Sequence, residues 1–296
     1  MRKLVWLRRS SQVVFLGVFI YALWSTTYPL RGIFSPQVIF KIDPLIMFIT
    51  ALSERVLLPG LVFALVMVLL TAVLGRFFCG WVCPLGTFID ATGTFARQPR
   101  KELTLSQRHQ FRLPKFFILG AVVLLALFGV QAAWIFDPVV TAARVISLNV
   151  IPGLTWAIDQ AFQALIQKFG LYGGTYDLYR SLKDGLLGVN VHFFANSFIT
   201  LAFFLMICLA SLRVFRLWCR MLCPLGAWYA VNAKGSWLGR RVKSCTSCGK
   251  CVRRCRMGAI DKGVHYDKGE CILCMDCVYD CPEKSTEFSF RRAVKE

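Results

Sequence analysis

Hydrophobic and polar positions fall in long blocks along this chain rather than in short alternations. Four blocks are apolar over about the 20 residues that a bilayer-crossing helix takes. They run from Val13 to Leu30, Val56 to Phe78, Phe116 to Phe136 and Phe193 to Leu212, and they predict four transmembrane helices. The first is the weakest, because Tyr28-Pro29 cuts it short and Ser25, Thr26 and Thr27 dilute it. A cleaved signal peptide is the other reading of that block, but no small-residue cleavage site with a polar continuation follows it. The pattern also repeats. Asp43-Pro44-Leu45 follows the first block and Asp137-Pro138-Val139 the third. The second block ends in CGWVCPLG (Cys79 to Gly86) and the fourth in CRMLCPLG (Cys219 to Gly226). Each half therefore reads as helix, DP turn, helix, then CxxxCPLG. The second half carries an insertion at about Thr155 to Asn190, read as an outside loop with an amphipathic helix over Trp156 to Phe169 on the membrane interface.

Composition and charge agree with this pattern and orient it. The 296 residues are 56% hydrophobic and 17% charged, against roughly 45–50% and about 25% in soluble domains. Disorder is excluded by the apolar content, and a small disulfide-stapled secreted domain by the length and the long apolar runs. The net charge is +19. Of the 35 Lys and Arg, 28 lie at the N-terminus, around the junction of the second and third blocks, and in the C-terminal tail. Cations collect on the cytoplasmic side, so both termini are expected in the cytoplasm of a bacterial inner-membrane protein. Both halves then start inside, which makes the repeat parallel, with a pseudo-twofold along the membrane normal. The cations meet lipid headgroups rather than nucleic acid. The expected organisation is a first transmembrane repeat (1–96), a basic cytoplasmic loop (97–115), a second repeat with the insertion (116–236) and a cytoplasmic ferredoxin-like α+β domain (237–296).

The tail carries the most specific chemistry. Cys245, Cys248, Cys251 and Cys255 follow C-x2-C-x2-C-x3-C, as do Cys271, Cys274, Cys277 and Cys281, the last followed by Pro282. Such a run grips three corners of a 4Fe–4S cubane and sends its fourth Cys to the other cluster. Cluster one then takes Cys245, Cys248, Cys251 and Cys281, and cluster two takes Cys271, Cys274, Cys277 and Cys255. Zinc accounts for neither three-plus-one run, and disulfides are disfavoured on the cytoplasmic side. Arg256 stands where the first motif usually has Pro, a cation expected to raise the potential of the nearby cluster.

Cys79, Cys83, Cys219 and Cys223 end the second and fourth blocks. On one helix, residues i and i+4 share a face, so each pair is expected to present two thiols together, and the repeat to gather all four. Four soft ligands suit an Fe–S cluster, Cu(I) or zinc. A reversible dithiol and plain core packing are the other readings. Cys208 reads as core. No histidine lies mid-block: His109, His192 and His265 give no support for a transmembrane haem.

Together these motifs resemble the NapH family of ferredoxin-type membrane proteins over nearly the whole chain. The resemblance implies a quinol dehydrogenase component of periplasmic nitrate reduction, passing electrons from the quinol pool to a periplasmic ferredoxin, cytochrome or reductase. NosR-type relatives add an outside flavin-binding domain before the spans, and CcoG-type relatives an immunoglobulin-like domain after the clusters. Neither is expected with 12 residues before the first span and 15 after Cys281. MauN-type proteins share the short plan. The DP turns, Tyr28, Trp134 and Trp156 are expected near the outer boundary, where they would shape a quinone pocket or simply form an aromatic belt. The alternative function is an assembly factor whose CxxxCP thiols reduce or deliver copper or thiols to a periplasmic enzyme.

Overall fold

The structure, a computed structural model, describes residues 2–25, 37–95, 110–169, 179–181, 194, 197–261 and 265–290. Tyr28, His109, His192, most of the basic loop and residues 182–190 of the insertion lie outside them.

The first repeat runs through α1 (Arg2–Trp24), α2 (Gln37–Ile42), α3 (Pro44–Glu54), α4 (Leu61–Leu74), α5 (Phe78–Trp81) and α6 (Pro84–Phe95). The second runs through α7 (Leu113–Leu127), α8 (Ala133–Phe136), α9 (Pro138–Val145), a π-helical segment (Ile146–Val150), α10 (Ile151–Phe169), α11 (Ser197–Arg213), α12 (Leu217–Met221) and α13 (Pro224–Ala233). Among the described residues, two helices are long and apolar enough to cross a membrane, Lys3–Trp24 and Pro138–Lys168. The second, third and fourth apolar blocks form helices of 14, 15 and 17 residues. At 1.5 Å per residue the shortest of these is about 21 Å long, because Gly60 and Gly75 bound it.

The long helix from Pro138 differs from the expected DP turn followed by a separate amphipathic helix. The chain stays helical through Pro152 to Phe169. Proline lacks the N–H for the carbonyl four residues back and its ring crowds that carbonyl. The π segment ends two residues before Pro152, and its wider turn takes up the mismatch. The predicted amphipathic stretch is the C-terminal part of this helix.

Each CxxxCP is a break between helices, not one helical face as expected. A residue before proline is pushed out of the α region, so Cys83 and Cys223 leave the short helices α5 and α12. Cys223, at φ −75° and ψ 108°, is the N-cap of α13. The repeats pack reciprocally: α6 rests on α1 and on α11 of the other half, and α13 on α7 and on α4 of the other half. Leu45, Ile49, Leu85, Ile89 and Leu225 are fully buried in one hydrophobic core drawn from both repeats.

The tail pairs β1 (Gly239–Val242) antiparallel to β2 (Thr286–Ser289), with Gly239 opposite Ser289. Between them lie α14 (Lys250–Arg254), a 3-10 turn (Lys268–Glu270) and α15 (Asp276–Tyr279). The tail packs on the repeats through the turn against α13 and through α15 against α1.

Candidate redox site

Four helices of the repeats begin at an X-Pro pair: Asp43-Pro44, Cys83-Pro84, Asp137-Pro138 and Cys223-Pro224. Proline at the first helical position costs no hydrogen bond and presets φ. The preceding side chain is free to cap. Asp43 Oδ1 accepts from the N–H groups of Leu45 (3.0 Å) and Ile46 (3.2 Å). Asp137 Oδ1 accepts from Val139 (2.8 Å) and Val140 (3.1 Å). Cys83 Sγ faces the Gly86 N–H at 3.5 Å, and Cys223 Sγ the Gly226 N–H at 3.1 Å. Each cap sits at the positive end of its helix, where negative charge is favoured.

These four starts converge. Cys79, Cys83, Cys219 and Cys223 share one hydrophobic core and lie close enough for their charges to interact. The Asp43 and Asp137 carboxyls lie within electrostatic reach of each other, and the Oδ2 of each is buried with no hydrogen-bond partner among the described residues. Buried Tyr229 stands within electrostatic reach of both carboxyls and of Cys79 and Cys83. The DP carboxyls are thus in the core, 1% and 0% exposed, not at the outer boundary as expected. Trp134 is half-buried against Phe40, ring centroids 5.9 Å apart, and Trp156 is exposed.

Two buried arginines flank the thiols, each three residues before the first Cys of its motif. Arg216 donates to Asp90 Oδ1 and Oδ2, both at 2.9 Å, and to the carbonyl of Cys79 at 2.8 Å. Arg76 donates to Glu270 Oε2 at 3.0 Å and to the Gly269 carbonyl at 3.1 Å, and its Nη2 lies 4.0 Å from Cys79 Sγ. Lys115 also pairs with Glu270. Burial alone would raise Glu270; Arg76 and Lys115 outweigh it and hold the carboxyl below its usual range. Burial likewise opposes ionisation of Asp90, but Arg216, Arg256 and Arg8 hold its pKa well down. The sequence reading overlooked these groups. The signal was present, since the repeat is R-x2-C-x3-C-P-L-G in both halves.

The two cysteine runs of the tail fold alike. Ser247 and Gly249 have positive φ, and so do Leu273 and Met275 at the equivalent places of the second run. Left-handed backbone at Ser, Leu and Met costs energy, and here it turns N–H groups onto sulfur. Ser247 N faces Cys245 Sγ, and Leu273 N faces Cys271 Sγ, both at 3.4 Å. Ala259 N donates to Cys255 Sγ at 3.2 Å. Cys255 lies within electrostatic reach of Cys271, Cys274 and Cys277, and Cys251 within reach of Cys245 and Cys248. The fourth ligand expected for cluster one, Cys281, lies 3.5 Å from the Ser285 hydroxyl. Tyr266 stands within electrostatic reach of Cys271, Cys277 and Cys255, a neighbour the sequence did not announce. Burial pushes the thiols of Cys271 and Cys274 up to about 11 and about 12. As thiolates they call for a compensating cation, which bound iron supplies. Among the described residues no three metal-ligating side chains close on a single ion; a cubane instead spreads its ligands over four corners. The donor set and its N–H···S bonds therefore fit 4Fe–4S groups.

The second run is seated on the first CxxxCP. A Cβ on Gly80 would stand 2.2 Å from the Ile272 carbonyl oxygen, so only glycine lets the two backbones meet. Trp81 Nε1 donates to the Leu273 carbonyl at 3.0 Å. Arg256 joins the same interface. Instead of standing as an uncompensated cation beside a cluster, it pairs with Asp90 at 3.0 Å and Asp276 at 2.5 Å.

Residues 56–102 and 196–244 each match a 4Fe-4S binding domain family. The matches enclose the two CxxxCP elements and stop one residue short of Cys245. Among curated proteins, the chain is similar to ferredoxin-type proteins. It is 27% identical to the ferredoxin-type protein NapH of Haemophilus influenzae over 98% of this chain and 90% of that protein. It is 26% identical to the methylamine utilization ferredoxin-type protein MauN of Methylorubrum extorquens, over 84% of this chain and 73% of that protein. It is also 26% identical to the regulatory protein NosR of Pseudomonas aeruginosa, over 68% of this chain and 23% of that protein. These homologues support the ferredoxin-type NapH family as the one this chain resembles. The chain spans between about a quarter and a half of the length of several curated relatives it matches. No solved structure matches it.

Proposed function

We propose that this chain is a membrane-bound iron–sulfur electron-transfer protein of the bacterial inner membrane. It oxidises quinol and passes electrons towards a periplasmic redox partner, as the NapH resemblance implies. Cys245, Cys248, Cys251 and Cys281 hold one 4Fe–4S cluster, and Cys271, Cys274, Cys277 and Cys255 the other. Bound there, such clusters store and pass single electrons. The chain's own residues supply the rest: N–H groups stabilise the sulfurs, and Arg76 and Arg216 offset negative charge on Cys79, Cys83, Cys219 and Cys223. The buried, neighbouring carboxyls of Asp43 and Asp137 offer a site for a proton beside them.

The observation that carries this reading is the seating of Ile272 and Leu273 on Gly80 and Trp81. It sets a cluster-binding loop directly against the paired thiols of the repeats. A redox or metal role for those four thiols belongs to the same proposal. The assembly-factor reading is weakened by their burial, 3–7% exposed, since delivery of copper or thiols needs access.

The test uses the full chain in native-lipid membranes. Iron and acid-labile sulfide are counted, and cluster reduction by a menaquinol analogue is followed by electron paramagnetic resonance. Reduction is expected in the wild type. It is expected to be lost, with tail iron retained, when Cys79, Cys83, Cys219 and Cys223 become Ser. Iron-loaded protein that quinol does not reduce refutes quinol oxidation. Undiminished reduction in the four-serine variant refutes the role of those thiols.

A further inference from the structure

The two cysteine runs face different surroundings. Cys274 and Cys277 are buried, and their loop is held against the repeats. Cys245 and Cys248 are exposed, in a stretch open to solvent from Lys243 to Cys248. Between Gly239 and Ile260 the chain holds seven cations and no acidic residue. Of these, Arg254 pairs with Asp280 at 3.2 Å, and Arg256 turns inward. Lys243, Lys250 and Arg253 remain exposed. Arg253 lies over the loop itself, donating to the Cys248 carbonyl at 3.4 Å. Lys243 pairs with Glu287 at 3.2 Å, both ends open to water.

An exposed ligand loop inside a cationic rim is suited to steering an acidic partner. We propose that the face formed by Cys245, Cys248, Lys243, Lys250 and Arg253 docks an acidic, soluble one-electron carrier protein. This rests on the cluster assignment above. A lipid surface is the less favoured occupant. The tail meets the repeats through the opposite loop and through Arg112, which pairs with Asp267 at 2.9 Å, so the cationic face is on the free side.

The test uses the iron-loaded full chain in nanodiscs, with an acidic flavodoxin as probe and a basic cytochrome c as control. Binding is read by interferometry, and iron is counted in every sample. Flavodoxin is expected to bind, to bind more weakly as salt rises, and to lose about tenfold in affinity with K250E/R253E. K250R/R253K should bind as the wild type does. Equal affinity of K250E/R253E and wild type, or equal binding of cytochrome c, overturns the proposal. A charge-reversal effect seen only in nanodiscs of anionic lipid assigns the face to lipid and also overturns it. Neither residue is a cluster ligand. Iron missing already from the wild type would overturn the cluster assignment instead, which keeps the two failures apart. K243E, outside the cysteine run, gives the same reading should K250E/R253E fail to load iron.

Discussion

Arg76 and Arg216 occupy equivalent positions in the two repeats, yet they find their carboxylates differently. Seven residues after Cys83 stands Asp90, which takes Arg216 across the repeat interface. Seven residues after Cys223 stands Ala230. Its small side chain leaves room for the tail's 3-10 turn, and a Cβ on Gly269 would lie 2.8 Å from the Ala230 carbonyl oxygen. Glu270 then enters from the tail and serves Arg76 and Lys115. Glu270→Gln leaves two buried cations without their anion, a loss of about 3–5 kcal/mol. The tail of that variant should be released by trypsin much faster than that of the wild type. Acid should matter too. The folded pKa of Glu270 is depressed, so its contribution is present above the usual glutamate value of about 4.3 and is lost as pH falls through the lower folded value. Wild-type release, followed in the acid range with pepsin in place of trypsin, should therefore accelerate as pH falls below about 4. The E270Q variant should show a smaller change over the same window. Identical release from both proteins across pH would disprove the coupling.

At the scale of elements, the four X-Pro helix starts bring their caps to one place. Replacing Asp137 with Ala removes two N–H···O bonds and should cost about 0.5–2 kcal/mol. Asn keeps the cap, because its Oδ1 can still accept from Val139 and Val140. Asp137→Asn should accordingly unfold in SDS at a midpoint near the wild type's, and Asp137→Ala clearly lower; an Asn variant as weak as the Ala one would contradict the capping role. The sequence predicts turns at the DP pairs; each is instead a helix start, a feature as local as a turn because a cap and its proline are neighbours in the chain. That the two carboxyls come within reach of each other depends on residues 94 positions apart in the chain (Asp43 to Asp137), and only packing decides it. The cysteine runs of the tail were legible for the same local reason. The helix through Pro152 was not, since a proline ordinarily predicts a break and nothing in composition announces a π turn. The arginines were visible in the repeat but not singled out, because a cation at the end of an apolar block is first read as orientation.

The whole molecule has two distinct ends. The N-terminal part of α1 and the tail share one: Arg8 lies 3.2 Å from Asp90 and 4.0 Å from Asp276. Helix α7 begins beside the tail, where Arg112 meets Asp267, and runs 15 residues away from it, about 22 Å. Helix α3 begins at Asp43 in the core and points the same way over 11 residues. The two connections meet at the far end, where Gln131 Nε2 donates to Glu54 Oε1 at 3.0 Å. The described cationic segments, the start of α1 and the tail, lie at one end, and under the proposed function the positive-inside rule assigns that end to the cytoplasm and the Glu54–Gln131 end to the periplasm. Green fluorescent protein fused at the C-terminus should fluoresce, because it folds poorly when exported. Alkaline phosphatase inserted after Gly129 should be active, because it needs periplasmic disulfides. The same enzyme placed at the C-terminus should be inactive. Phosphatase activity at the C-terminus together with silence at Gly129 would invert the molecule. The cluster loops would then face the periplasm, and the cationic face would meet a different set of carriers.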